Sequence, residues 1–223
     1  MKTIIILFYL FLTLSLNAKV NIEEKPYRVG DRFHTLEFDE VTEWPSLEVL
    51  QERFLELRDM RVLSYEGKSR KLPWFFLRDG CHLRSTILSY ESEKRGYGLL
   101  KVMYLHGDLV FKSPYIPGGS LGPLRFHAAA VVKVKGQVYV LDPSSDYDKP
   151  LTLKNWALTF SESVDNDLFS ICSPHTYLTS KSCFEQTPVT EEVLKADSEY
   201  LLKREENILK NFGFDVEELL FNN

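Results

Sequence analysis

LPWFFLRDGCHLRSTILS, residues 72–89, is the stretch whose reading decides the fold. An aromatic run, Trp74-Phe75-Phe76, enters an Asp79-Gly80 turn, and directly after it Leu83, Ile87 and Leu88 recur at helical spacing. This reads as extended chain, turn, then a helix from Cys81 to about Lys94, ended by Gly96 and Gly98. A thiol in the first turn sits at the positive end of the helix dipole, among N–H groups with no partner inside the helix. Both favour the nucleophilic thiolate.

Beyond the helix, Leu99–Leu105 reads as a strand, His106-Gly107-Asp108 as a turn, and Leu109–Phe111 as the start of another strand. Residues Pro114–Pro123 form a Gly/Pro loop. Arg125–Val134 and Gln137–Asp142 are strands separated by Lys135-Gly136, which predicts a tight β-hairpin. With those two residues as the turn, Val134 pairs with Gln137, and counting back puts Ala129 opposite Asp142 and His127 opposite Ser144. Period-two alternation then places His127 and Asp142 diagonally on one face, about 7–8 Å apart at Cα. An aspartate there can hold an imidazole in one tautomer and stabilise its charged form. If the start of the Cys81 helix packs against that face, the three residues form a nucleophile, a base and an orienting acid. A one-residue slip would separate the last two.

Each of the three has a plainer reading by itself. A cysteine at a helix start is usually a small buried hydrophobe, a strand histidine is usually structural, and Asp-Pro commonly ends a strand. Their occurrence together, with His127 and Asp142 on one hairpin face, favours chemistry.

Before the central stretch, Phe33–Phe38 alternates like an edge strand, and Ser46 caps a helix from about Leu47 to Met60 that presents Leu47, Leu50, Phe54 and Leu57 on one face. His34 and His106 read as ordinary strand and surface residues. Residues 144–187 are loop-rich, with Trp156 and Phe160 as core anchors. A long helix opens at Pro188-Val189-Thr190-Glu191 and runs to about Leu209, and a short one follows Phe214.

The N-terminus has the pattern of a secretory signal peptide: Lys2, an apolar run from Ile4 to Leu16, and a small residue, Ala18, at the cut. Domain organisation is then residues 1–18 as signal peptide, 19–70 as an N-terminal segment, and 71–223 as the main domain with a helical C-terminal part. The product is expected to be secreted or periplasmic, without stable membrane association after cleavage; a retained anchor is the alternative. Export makes the three cysteines informative. Cys172 and Cys183 are the natural disulfide pair, which leaves Cys81 as the free thiol. Cys172, His175 and Cys183 as metal ligands is the competing reading, weakened by the lack of an evident fourth ligand. A net charge of −5 with no basic run argues against nucleic acid as a partner. Hydrophobic residues at 44% supply enough core without a metal or disulfide lattice.

At this point the chain resembles the bacterial protein-glutamine glutaminases, secreted protein deamidases. The shared pattern is a Pro-aromatic lead-in (Leu72-Pro73-Trp74-Phe75), then Asp79-Gly80-Cys81, two residues, Arg84 and a small residue. A strand opening Phe126-His127-Ala128-Ala129 follows, then a strand ending Asp142-Pro143-Ser144, then Trp156. The resemblance covers about residues 70–160. It implies an α+β fold with a papain- or transglutaminase-like core, the Cys helix packed on an antiparallel sheet, and a triad of Cys81, His127 and Asp142. It implies hydrolysis of side-chain amides of protein-bound glutamine to glutamate and ammonia, on proteins or peptides with exposed glutamine. No cofactor or metal is implied, and the chain is expected to be a monomer. Two departures stand out: Ser85 replaces the usual alanine and His82 the usual aromatic. His82 is expected to project away from Cys81, as a rim residue. A transglutaminase-like or peptidase thiol enzyme would use the same three residues, and a non-catalytic exported binding domain would keep the fold without turnover. Residues 19–70 fit either a pro-segment or a part of the domain.

Overall fold

The computed structural model describes residues 30–112, 116, 119–175 and 190–222. The expected signal peptide, Cys183 and most of residues 113–118 lie outside these, and the expected Cys172–Cys183 pairing with them. Helix α1 (Leu47–Asp59) is followed by a small ribbon of β1 (Leu63–Tyr65) and β2 (Lys68–Arg70), then by α2 (Cys81–Lys94). Strands β3 (Lys101–Lys112), β4 (Ser120–Val134), β5 (Gln137–Leu141), β6 (Leu151–Thr152) and β7 (Leu168–Cys172) form one antiparallel sheet in the order β6-β5-β4-β3-β7. Helix α3 (Leu153–Ala157) follows β6, and α4 (Glu191–Asn211) follows β7. The fold is α+β, as the sequence predicts.

Helix α2 starts at Cys81 as expected, and Leu83, Ile87 and Leu88 are buried against Ala130, Val132 and Leu141 of the sheet. Its remaining faces are buried too, although they carry hydroxyls. Each hydroxyl finds a backbone carbonyl: Ser89 Oγ donates to Leu100 O (3.1 Å), Ser92 Oγ to Gly98 O (2.8 Å) and Thr86 Oγ1 to Pro174 O (3.3 Å). Burial of polar groups is tolerated because none of these lacks a partner. Helix α1, capped by Ser46 accepting from Val49 N, adds Leu50, Phe54 and Leu57 to the same core. Leu47, expected on that face, is half exposed because it lies in the first turn, before the helix reaches the core.

The second core lies on the other face of the sheet, where Met103, Leu105, Ala129, Val131 and Val140 meet Trp156 and Phe160. Both anchors are buried as expected. The β4–β5 hairpin has the predicted register, with Val134 opposite Gln137 and Ala130 opposite Leu141. Lys135 and Gly136 both adopt positive φ (50° and 77°), the geometry of a type I′ turn whose twist matches the strands it joins.

Four local expectations change. His106-Gly107-Asp108 is not a turn: β3 continues through it, with a register shift between His106 and Leu109 that acts as a bulge. Residues 120–123 of the Gly/Pro loop are strand. Pro123 is accommodated because this arm of β4 pairs with β3 only, so one of its edges needs no donor. Phe33–Thr35 is a helical turn rather than a strand, since Phe33 and Leu36 both pack on the core at a spacing of three. The loop-rich region contains β7, a five-residue strand paired along the N-terminal half of β3.

Candidate active site

The β4–β5 ladder ends at the Ala130–Leu141 pair, and the predicted site residues gather just beyond it. His127 is buried with its ring among Phe111, Trp156 and Phe160, the last at 4.4 Å between centroids. Its Nε2 meets Asp142 Oδ2 at 2.8 Å, the diagonal contact the register predicts. Its other nitrogen, Nδ1, is thereby left for the thiol, and the Cys81 thiol hydrogen-bonds the His127 side chain. The structure thus brings Cys81, His127 and Asp142 together.

The helix does not lie on the His127 face. Its body packs on Ala130 and Val132, whereas His127 and Asp142 belong by alternation to the Trp156 side. Cys81 reaches the imidazole where β5 has ended. Ser85, the departure from alanine, has a use here: its Oγ donates to Ala128 O at 3.1 Å and to Cys81 O at 2.7 Å, joining the helix start to the β4 backbone beside His127.

Asp142 is held from several sides. Oδ1 accepts from Ser144 N (3.2 Å) and Ser144 Oγ (2.5 Å); Oδ2 accepts from Ser145 Oγ (2.5 Å) and Trp156 Nε1 (2.9 Å) besides the histidine. Burial alone would raise its pKa. The His127 charge and these donors outweigh burial and hold the carboxyl far below the ordinary carboxylate range. The same balance sets the pair it supports. Burial opposes charge on His127, but Asp142 and the sulfur bring it up to about 9. Burial likewise opposes the thiolate, but hydrogen bonds from His127 and His82 bring Cys81 down to about 5. Between those values the stable form is thiolate beside imidazolium, a nucleophile already deprotonated with its proton donor adjacent. Tyr104, packed near the thiol, has its phenol pushed up by burial and by the sulfur charge.

His82 is placed differently from expectation. It is only part-exposed, and its imidazole lies close enough to the Cys81 thiol to favour the thiolate.

The loop leading to Cys81 is fixed by two buried charges that the sequence did not mark as site residues. Arg84 Nη1 donates to the carbonyls of Pro73 (3.3 Å), Phe76 (2.9 Å) and Asp79 (3.0 Å). Glu205 of α4 accepts from Phe75 N at 2.9 Å and Arg70 Nη2 at 3.0 Å. Arg84 was visible as part of the motif, though not its role. Trp156 was visible as an anchor, though not as a donor to Asp142. Glu205 had no sequence signal, because its partners lie more than a hundred residues away.

The core of the chain is similar to known proteins. Residues 50–160 match the family model described as glutaminase. No curated protein sequence matches the chain. Among solved structures, the chain is similar to a crystal structure of protein-glutaminase (TM-score 0.55, 15% identity, 74% of this chain and 90% of that one). It is also similar to the NMR structure of protein-glutaminase from Chryseobacterium proteolyticum (TM-score 0.54, 15% identity, 71% and 86%). A crystal structure of pro-protein-glutaminase aligns at TM-score 0.56 and 14% identity, over 79% of this chain and 64% of that one. At such identities the structures speak for the fold, and the family model speaks for the chemistry of its core. The chain belongs to the protein-glutaminase family of amide hydrolases.

Proposed function

We propose that the chain is an exported cysteine amidohydrolase that deamidates protein-bound glutamine, with Cys81 as nucleophile, His127 as acid and base, and Asp142 as the residue that orients His127. The contact of the Cys81 thiol with an imidazole whose other nitrogen is held by a buried carboxylate carries this reading. The thiolate attacks the side-chain carboxamide carbon. The oxyanion is met by first-turn N–H groups of α2, whose start carries no side-chain cap. The His127 imidazolium gives its proton to the departing ammonia, leaving a thioester on Cys81. A water then gives a proton to neutral His127 as it attacks the thioester, and glutamate and the thiol are released. Neither metal nor organic cofactor enters the scheme.

Two further readings belong to the proposal. Residues 31–70 are part of the catalytic domain rather than a pro-segment, supported by Leu50, Phe54 and Leu57 in the core beside α2. The product is a secreted or periplasmic monomer with a Cys172–Cys183 disulfide, supported by Cys81 being the free thiol of the two described cysteines.

The test is ammonia release from an unfolded, glutamine-rich protein, with Cys81→Ala beside the wild type and peptide mass spectrometry on the products. Cys81-dependent ammonia with glutamine converted to glutamate in intact chains is expected. Chain cuts would make the protein a peptidase, and cross-links a transglutaminase. A readily alkylated Cys81 with no product from any amide would mark a binding domain of the same fold.

A further inference from the structure

Helix α4 lies outside the matched family region, yet it grips the segment that delivers Cys81 at both ends. Leu201 and Glu205, one turn apart on α4, share a face. Glu205 Oε1 accepts from Phe75 N at 2.9 Å, and its Oε2 pairs with Arg70 at 3.0 Å; the acid and that arginine are each 1% exposed. At the other end Leu201 packs on Gly80, the residue before Cys81. Gly80 has φ +78°, and a Cβ there would lie 2.3 Å from Leu201 Cδ1. Between the two grips, Arg84 holds the carbonyls of Pro73, Phe76 and Asp79. The segment therefore hangs between an acid that takes an N–H and a cation that takes carbonyls. Glu206, the next residue on α4, adds a weaker contact of 3.6 Å to Arg70 Nη1.

We propose that Glu205 is a positioning residue for the Cys81 nucleophile: through Phe75 N–H it fixes the 73–80 segment, and so the place of the thiol against His127. The inference rests on Cys81 being the nucleophile proposed above and adds α4 to the apparatus that aims it. Misplacement of a reacting atom by about 1 Å can cost on the order of a hundredfold in rate. A hydrogen bond so near the nucleophile is therefore expected to act on kcat more than on KM.

The experiment measures the rate at which iodoacetamide alkylates Cys81 in the full chain, beside kcat and KM for ammonia release, with circular dichroism and a cooperative melt to show folding. Glu205→Leu is expected to slow alkylation and kcat by about tenfold or more, with KM nearly unchanged. Glu205→Gln keeps an acceptor oxygen for Phe75 N–H and should recover most of both. If the leucine variant does not fold, Glu205→Asp, which withdraws the acceptor by one methylene, takes its place and should be slowed relative to Glu205→Gln. Wild-type alkylation in a folded leucine or aspartate variant overturns the proposal, as does a glutamine variant slowed as much as either. Alkylation that follows this pattern in a protein releasing no ammonia from glutamine would refute the deamidase reading and leave the positioning role standing.

Discussion

Asp142 and Glu205 are both buried carboxylates, one at the end of the β5 hairpin strand and one on the C-terminal helix, and the protein treats them in opposite ways. Burial penalises both charges. Asp142 is nonetheless held far below the ordinary carboxylate range, by the His127 charge and by donors from Ser144, Ser145 and Trp156. Glu205 is pushed up to about 7, because burial outweighs the Phe75 N–H and the two nearby arginines. Depth does not decide the charge state of a buried acid; the number and aim of its donors does. The acid beside the proposed nucleophile and base is kept ionised, where its charge favours a proton on His127. The acid that holds Phe75 N–H and Arg70 titrates at about 7.

Substitutions at the two acids should separate these roles. The largest effect belongs to Asp142→Asn. It removes the charge that favours imidazolium, so kcat for ammonia release should fall by about two to four orders of magnitude, with the melting temperature as control for folding. Next comes Gly80→Ala, where a left-handed backbone and a clash with Leu201 combine. A loss of about 2–4 kcal/mol of stability in urea titration is expected.

The two acids should also shape stability against pH with opposite sign. Asp142 titrates lower in the folded than in the unfolded chain, so its stabilisation is present above about pH 4 and is lost as pH falls through the folded value. Glu205 titrates higher when folded, so stability falls as pH rises from its unfolded value of about 4.3 through about 7. Urea midpoints at pH 5 and pH 8 should therefore differ less in Glu205→Gln than in the wild type. An unchanged difference would show that Glu205 is already ionised at pH 5.

Trp156→Phe removes one donor from Asp142 and leaves the others. A loss of about 1 kcal/mol is expected, seen as a small fall in kcat and a lower melting temperature. Smallest is Lys135→Asn in the hairpin turn, which replaces lysine at φ 50° with a residue suited to that conformation. A gain of about 0.5–1 kcal/mol is expected in the same urea titration.

The contrast also explains what the sequence could show. The donors of Asp142 lie within fifteen residues of it, on a hairpin whose two-residue turn fixes the register. His127 and Asp142 could therefore be paired by counting. Cys81 could be placed by the Asp-Gly turn and the helical spacing after it. Glu205 meets Phe75 and Arg70 across sequence separations of 130 and 135 residues, and no local pattern marks such a contact. Strand β7 was hidden for a related reason: Leu168–Cys172 is a short edge strand, defined by pairing with β3, which lies some sixty residues earlier in the chain. His106-Gly107-Asp108 carries turn residues, yet β3 pairs with β4 both before and after it, which converts the would-be turn into a bulge.

The most direct test of the account is the ionisation of Cys81, followed by thiolate ultraviolet absorbance and iodoacetamide alkylation across pH in the wild type and in His127→Ala. Subtracting the signal of Cys81→Ala isolates Cys81 as the thiol read. A wild-type thiolate that appears as pH rises through about 5 and keeps its imidazolium partner to about 9 is predicted. In His127→Ala the onset should move up toward the value of a free cysteine. A wild-type Cys81 that titrates like a free cysteine, or an onset unmoved by loss of His127, would contradict the account.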